Sequence, residues 1–161
     1  MKTALYLALG LLASAFVLAQ FGLLGGSRPS DIGIKESRLK PPSPTRNSIS
    51  SQAALHPDHP QRSYAEIKPF ALKNGSATDS LAALIKALQT MPGITVVEHQ
   101  PDYVYAQAHT PWLKFVDDLE FWFNPALGII DVRSASRLGR EDFGVNRQRM
   151  EVIRAAYLAQ P

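Results

Sequence analysis

Apolar residues fall into three regimes along the chain. From Ala4 to Leu24 there is no charged residue, and the run ALYLALGLLASAFVLAQFGLL is interrupted only by Gly10, Ser14, Gln20 and Gly22. As a helix it reaches about 31 Å, close to the roughly 30 Å hydrocarbon thickness of a bilayer, whereas a signal peptide's apolar core is about 7 to 15 residues. Length therefore favours a retained membrane anchor over residues 1–24. Val17-Leu18-Ala19 and Ala13-Ser14-Ala15 keep a cleaved signal peptide open as the alternative, because they put small or branched residues where a signal peptidase cuts. Lys2 and the terminal amine stand against Arg28 and Lys35, a weak charge bias. The expected address is a bacterial inner membrane with one N-terminal helix and a periplasmic domain, or the periplasm itself if the leader is cut.

The second regime, residues 25–62, holds six of the 12 prolines: Pro29, Pro41, Pro42, Pro44, Pro57 and Pro60. Proline fixes its own φ and drives the preceding residue out of helix, so this stretch reads as an extended linker that spaces a domain from the membrane.

The third regime, residues 63–161, is periodic. YAEIKPF (Tyr64 to Phe70) reads as a short strand with Pro69 at its end. Leu81, Leu84, Ile85, Leu88 and Met91 recur at helical spacing between a Ser76 or Thr78 cap, with Asp79 in the first turn, and the Pro92-Gly93 stop. ITVVEH (Ile94 to His99) and YVYAQAH (Tyr103 to His109) form a hairpin around Gln100-Pro101-Asp102. A second hairpin joins Lys114 to Asn124 with Ile129 to Ser136, and an amphipathic helix follows from Val145 to Ala159. The order β-α-β-β-β-β-α, after the apolar N-terminal helix, predicts an α+β fold. It is a two-layer antiparallel sheet with helices on one face and water on the other.

A chain of 161 residues has room for one ordinary domain and a tail, which excludes a bilobal enzyme. The formal charge is +3, from 17 Lys plus Arg against 14 Asp plus Glu, with no concentrated basic footprint, so nucleic acid is not an expected partner. There is no cysteine, which removes disulfides, thiolate metal sites, thiol nucleophiles and the acylated cysteine of a lipoprotein. No cofactor is expected.

Candidate chemistry concentrates in FVDDLEFWF (Phe115 to Phe123) and VRSASRLGREDFGVNRQRMEVIR (Val132 to Arg154). Strand alternation places Asp117 with Phe115, Leu119, Phe121 and Phe123 on one face, and Asp118 and Glu120 with Val116 and Trp122 on the other. A turn pairing Asn124 with Ile129 sets Phe121 beside Val132, Glu120 beside Arg133 and Asp117 beside Ser136. A carboxylate among aromatic rings needs a cation and hydrogen bonds, with Arg137 the nearest cation and Ser134 and Ser136 as further donors. On that basis Asp117→Asn should cost about 2–4 kcal/mol and Asp118→Asn little.

Asp142 or Asn146 can cap the last helix, on which Arg147, Glu151 and Arg154 form a charged stripe beside Met150, Ile153 and Tyr157. The most economical reading is a structural network of acids and arginines that fixes this helix to the sheet. An alternative is an anion cradle of Arg133, Arg137, Arg140 and the helix N-terminus for a lipid phosphate or carboxylate. A further alternative is a carboxylate- or metal-dependent hydrolase, but alternation separates Asp117 from Asp118 and Glu120 and leaves only those two to act together. His56 and His59 in HPDHP read as a surface turn, and Ser48, Ser50 and Ser51 lack the glycine elbow and histidine of a nucleophile. No metal site is expected. Trp112, Trp122, Tyr103 and Tyr105 line either a groove or a half-buried sheet surface.

FVDDLEF, VRSASRLG and GVNRQRMEVIR, preceded by SSQA (Ser50 to Ala53), resemble the bacterial and plastid family catalogued as domain of unknown function number 1499. The resemblance runs from about Asn47 to Arg154. It takes in Asp117, Asp118, Glu120, Arg133, Ser134, Ser136, Arg137, Gly139, Asp142, Gly144, Asn146, Arg147 and Glu151. The family's Asn-Cys before Ser-Ser-Gln is replaced here by Asn47-Ser48-Ile49, so no thiol role carries over. The combined expectation is a membrane-tethered cell-envelope binding or accessory domain, without turnover, that contacts a lipid, a small amphiphile or an envelope protein. A purely structural assembly subunit would instead show a large apolar patch and no pocket.

Overall fold

A computed structural model describes residues 2–161, except for the side chains of Leu12 and Ala15. The chain runs through α1 (Lys2–Gln20), β1 (Ser48–Ser50), a 3-10 turn (Ala53–Leu55), α2 (Arg62–Ala65), β2 (Phe70–Ala71) and α3 (Ala77–Gln89). It continues through β3 (Ile94–Gln100), β4 (Tyr103–His109), β5 (Val116–Asn124) and β6 (Ile129–Ser136), and closes with α4 (Val145–Leu158). All strand pairs are antiparallel, in the order β1-β6-β5-β4-β3, with β2 beside the other half of β6. The fold is α+β, and β5 and β6 pair in the expected register, with Phe121 opposite Val132, Glu120 opposite Arg133 and Asp117 opposite Ser136.

Period-two alternation sorts the sheet into two faces with different coverings. One carries Val104, Ala106, Leu119, Phe121, Ile130 and Val132, all buried under Leu84 and Leu88 of α3 and Met150, Ile153 and Tyr157 of α4. Ser76 caps α3 by accepting the Asp79 N–H at 3.2 Å, the cap and first-turn acid expected at this helix start. At the other end Gly93 holds φ +77°, and a Cβ there would lie 2.8 Å from the His109 carbonyl, so only glycine lets β3 begin this close to β4.

The opposite face is not wet. Residues 25–47 lie across it as a strap, with Leu39 buried against Tyr103, Tyr105 and Trp122, flanked by Ile32 and Ile34. The Leu39 N–H donates to Gln52 Oε1 at 2.8 Å, and the Gly33 N–H donates to Glu120 Oε1 at 2.9 Å. The expected 25–62 linker is therefore corrected: the proline-rich stretch belongs to the domain, and Ser48–Ser50 within it form the edge strand β1. Proline dictates an extended backbone but does not prevent docking. The apolar residues between the prolines, Ile32, Ile34, Leu39 and Ile49, supply the surface that a free spacer lacks.

The strand expected at Tyr64 to Phe70 is also corrected. Only Phe70–Ala71 pairs with β6, while the preceding segment is the short α2 and an irregular extension. Its carbonyls are taken by α4 rather than by a strand, since Arg147 donates to Tyr64 O and Glu66 O and Arg154 donates to Lys68 O and Pro69 O. Guanidinium groups satisfy much of the backbone there, and short of Phe70 the segment makes only an isolated bridge from Glu66 to Ser50 of β1.

α1 is long and apolar enough to cross a membrane by length and composition, and its sides are largely uncovered by the rest of the chain. It ends against the domain, where Gln20 Nε2 donates to Trp112 O at 2.8 Å. Gly26, at φ +66°, passes so near β6 that a Cβ would sit 3.0 Å from Arg137 Cβ.

If the strap is part of the core, Leu39→Ala lowers unfolding free energy by about 2–4 kcal/mol and shifts Trp122 emission to the red. Urea titration followed by fluorescence checks this, and a loss below about 0.5 kcal/mol would mean that the strap is a loose spacer.

Candidate functional site

Each of the three acids on β5 meets an arginine from a different element. On the helical face Asp117 pairs with Arg149 of α4 at 2.7 Å. On the strap face Glu120 accepts from Arg133 Nη1 at 2.9 Å, from the Tyr103 hydroxyl at 3.0 Å and from the Gly33 N–H. Asp118 accepts from Arg137 through Nε at 3.0 Å and Nη2 at 2.7 Å, and from the Tyr105 hydroxyl at 2.6 Å. A fourth acid, Asp131, pairs with no cation among the described residues and is held by Ser51, Gln52 and Asn124 at 2.6, 2.8 and 2.9 Å. Sequence reasoning did not single out Asp131, although its parity places it beside Arg133 on the strap face.

The expected partner of Asp117 was Arg137, and this is corrected to Arg149. Ser136 shares the face of Asp117, so Arg137, one residue further on, emerges on the other side with Asp118. Arg149 was missed because the rotational phase of a helix against a sheet is not written in either segment alone. Its spacing from Asn146 was the available signal, since positions three apart share a helix face.

Asn146 is wholly buried and links three elements. It receives the Ser134 hydroxyl and Arg149 Nη1 (3.1 Å) on its oxygen, and donates to Ser136 Oγ, Asn47 O and Asp142 Oδ2 at 3.0, 3.2 and 2.7 Å. Asp142 in turn accepts from the Gly144 and Asn146 N–H groups and the Tyr64 hydroxyl. Burial works to raise the Asp142 carboxyl, but these donors outweigh it and hold it below its usual range. The N-terminus of α4 therefore already carries the chain's own anion. Arg140 stands exposed in the loop, so the expected four-part cradle reduces to Arg133 and Arg137.

Arg147, Glu151 and Arg154 line an open cleft of about 860 Å³ beneath residues 66–71, with Phe70 and Tyr157. Its arginines are occupied by main-chain carbonyls, and Arg154 also bonds Glu151 at 2.8 Å. The hydrolase alternative needs Asp118 and Glu120 to open together into a cleft. Glu120 is 0% exposed and both carboxylates are saturated by arginine and tyrosine donors, so that requirement is not met. Among the described residues no three His, Cys, Asp or Glu side chains come together as metal ligands.

The serine run acts in local turns and strand links. Ser48 Oγ accepts the Ser43 N–H at 2.7 Å, Ser50 Oγ accepts the Gln52 N–H at 3.1 Å, and Ser51 bridges Asp131 and the Val132 N–H. His59 Nδ1 accepts the Gln61 N–H at 3.1 Å within a turn.

One buried side-chain nitrogen among the described residues lacks a hydrogen-bond partner: Nε of Arg133, whose side chain is 5% exposed. Arg133 and Arg137 both line a cavity of about 220 Å³ beneath residues 40–44 of the strap.

The family described as Protein of unknown function (DUF1499) matches residues 38–157, about three quarters of the chain, and the chain belongs to it. No curated protein and no solved structure matches. The matched region starts at Arg38, inside the strap, and so takes in its docked half.

Because Asp118 is only 2% exposed and holds Arg137 through three contacts, the asymmetry expected from sequence reverses. Asp118→Asn costs about 3–5 kcal/mol, at least as much as Asp117→Asn, whose partner Arg149 lies nearer to solvent. Chemical denaturation of the two variants decides, and a small loss in Asp118→Asn alone contradicts the assignment.

Burial, together with the hydrogen bond it donates to Asp142, pushes the Tyr64 phenol up to about 12, and burial beside Glu120 and Asp118 raises Tyr103 and Tyr105 as well. Phenols raised in the folded state contribute stability that is complete below pH 10 and is lost as pH climbs through their folded values. Alkaline unfolding should therefore begin above pH 10, with the ultraviolet tyrosinate signal rising together with loss of secondary structure. Reversible ionisation of Tyr64, Tyr103 and Tyr105 near pH 10 with the circular dichroism unchanged would contradict this.

Proposed function

We propose that this family member is a membrane-tethered binding or accessory domain of the bacterial cell envelope, anchored in the inner membrane by α1, seated on the lipid surface on the periplasmic side, and without catalytic turnover. The observation that carries the reading is the continuity between α1 and the end of the sheet from which it emerges. Loops 110–115 and 137–144 leave that end together, because Asp117 and Ser136 are paired beside them. They present Trp112 at 73% exposure and Phe143 at 90%, with Leu113 and Leu138 also exposed.

Exposed aromatic and aliphatic side chains beside an apolar helix suit the headgroup layer, where tryptophan is favoured, and Lys114 and Arg140 add attraction to anionic lipid. Phe143 keeps its exposed place at φ +52°, a conformation uncommon for a bulky residue. A partner for the domain itself, whether lipid, small amphiphile or envelope protein, would meet preformed surfaces instead of a carboxylate pair in an open cleft. The closed ion pairs on β5 support binding over hydrolysis.

The test uses the full chain reconstituted in phosphatidylcholine and phosphatidylglycerol vesicles. α1 should resist carbonate extraction, and Trp112 should be quenched by lipids brominated near the headgroup and shielded from acrylamide. Trp112→Phe leaves only buried Trp122 and should abolish the lipid quenching. Extraction by carbonate overturns the anchor, and an inserted chain with Trp112 open to acrylamide overturns the seating.

A further inference from the structure

We infer that the cavity beneath residues 40–44 is a binding site for a phosphate group. The inference deepens the binding reading above by naming a ligand class, and it does not depend on how the domain sits on lipid. The cavity is lined by Pro29, Lys40, Pro42, Ser43 and Pro44 of the strap, by Asp118 and Arg133 of the sheet and by Arg137 just after β6. At about 220 Å³ it is several times the roughly 30 Å³ share of one water molecule.

Its cations are not bare. Arg137 is bound to Asp118, Arg133 to Glu120 and Lys40 to Asp31, the last at 2.7 Å. The surplus lies in hydrogen-bond donors. Arg133 spends Nη1 on Glu120 and finds no partner for Nη2 among the described residues, and the Lys40 ammonium keeps two protons after its contact with Asp31. Arg133 is only 4% exposed and lines the cavity, so donors left unspent on its guanidinium point to a missing acceptor there.

A phosphate offers several acceptor oxygens to guanidinium and ammonium donors at once, and charge-assisted bonds of this kind are the stronger ones. Prolines at three places in the wall hold the strap's backbone in shape, so little order has to be gained on binding. Arg137 also donates to Gly26 O at 3.2 Å, in the segment that follows α1, which brings this side of the cavity toward the end of the domain where the apolar helix leaves it. Both a lipid headgroup and a free phosphate or phosphomonoester are thus compatible sources of the group.

The experiment uses the full chain in nonionic detergent micelles, so that no bilayer is needed. Thermal unfolding and titration calorimetry are followed with inorganic phosphate in one arm and with micelles doped with phosphatidic acid in the other. Saturable binding with a raised melting temperature is expected in at least one arm. Lys40→Gln should weaken it about tenfold while leaving the anion-free melting temperature nearly unchanged, because the Lys40–Asp31 pair is only partly buried. Arg133→Lys, which keeps the charge and removes the guanidinium's spare Nη2 donors, should weaken it similarly; should that variant not fold, Lys40→Gln decides alone. Lys86→Gln, on α3 across the sheet, should change nothing.

Binding of inorganic phosphate identifies a free phosphate or phosphomonoester site, and binding confined to the phosphatidic acid arm identifies a headgroup site. Absence of saturable binding in both arms overturns the inference, as does weakening by Lys86→Gln equal to that by Lys40→Gln.

Discussion

Three neighbouring carboxylates on one central strand have to be neutralised inside the fold, and the architecture follows from where their cations come from. Asp117, Asp118 and Glu120 are each nearly inaccessible, and each takes an arginine from a different place: α4, the loop after β6, and β6 itself. A buried ion pair contributes modest net stability, but separating its partners is expensive, so such pairs select one arrangement more than they strengthen it. Here they select the seating of α4 against one face of the sheet, the path of the loop that leads to it, and the register of the β5–β6 hairpin.

The two faces satisfy this constraint by different means. On the helical side Asn146 gathers strand hydroxyls, the Asn47 carbonyl, Arg149 and Asp142 into one closed cluster. All its hydrogen-bonding capacity is spent within the chain. On the strap side the acids are shared between arginines and the hydroxyls of Tyr103 and Tyr105, and the covering is a proline-rich segment held by Leu39 and a few main-chain bonds. A segment with a narrow apolar footprint and few hydrogen bonds opens more readily than a packed helix. The strap face is thus the one where space and an unspent donor coexist.

Much of this was legible in the chain. Strand alternation and the four-residue turn were enough to place Glu120 opposite Arg133 and to part Asp117 from Asp118, because both follow from counting along a pleated backbone. The Ser76 cap of α3 and the two hairpins rest on equally local chemistry. The cap of α4 is instead Gly144, with Asp142 two residues earlier accepting the Gly144 and Asn146 N–H groups, and not Asp142 or Asn146 as expected. What counting could not supply was the rotational setting of α4, which made Arg149 rather than Arg137 the partner of Asp117. It also could not show that arginines on α4 would take the carbonyls of residues 64–69 and leave no strand there. Prolines between 25 and 62 suggested a spacer because they describe the backbone alone. The few apolar residues among them determine whether that backbone docks, and their weight depends on finding Tyr103, Tyr105 and Trp122 waiting on a sheet face that local pattern assigned to solvent.

Docking of the strap also creates the cavity. Its wall is half strap and half sheet, so the donors of Lys40 and Arg133 face a common space only when Leu39 is seated and Gly33 is bonded to Glu120. The same Glu120 accepts the Gly33 N–H and Arg133 Nη1, and this fixes the guanidinium by one nitrogen while leaving Nη2 unspent. An anion that binds only the assembled wall would stabilise the docked strap by mass action, and a loosened strap would lose the anion. Since the strap is also the stretch that joins α1 to the sheet, such an anion would act on the tie between helix and domain through that one segment.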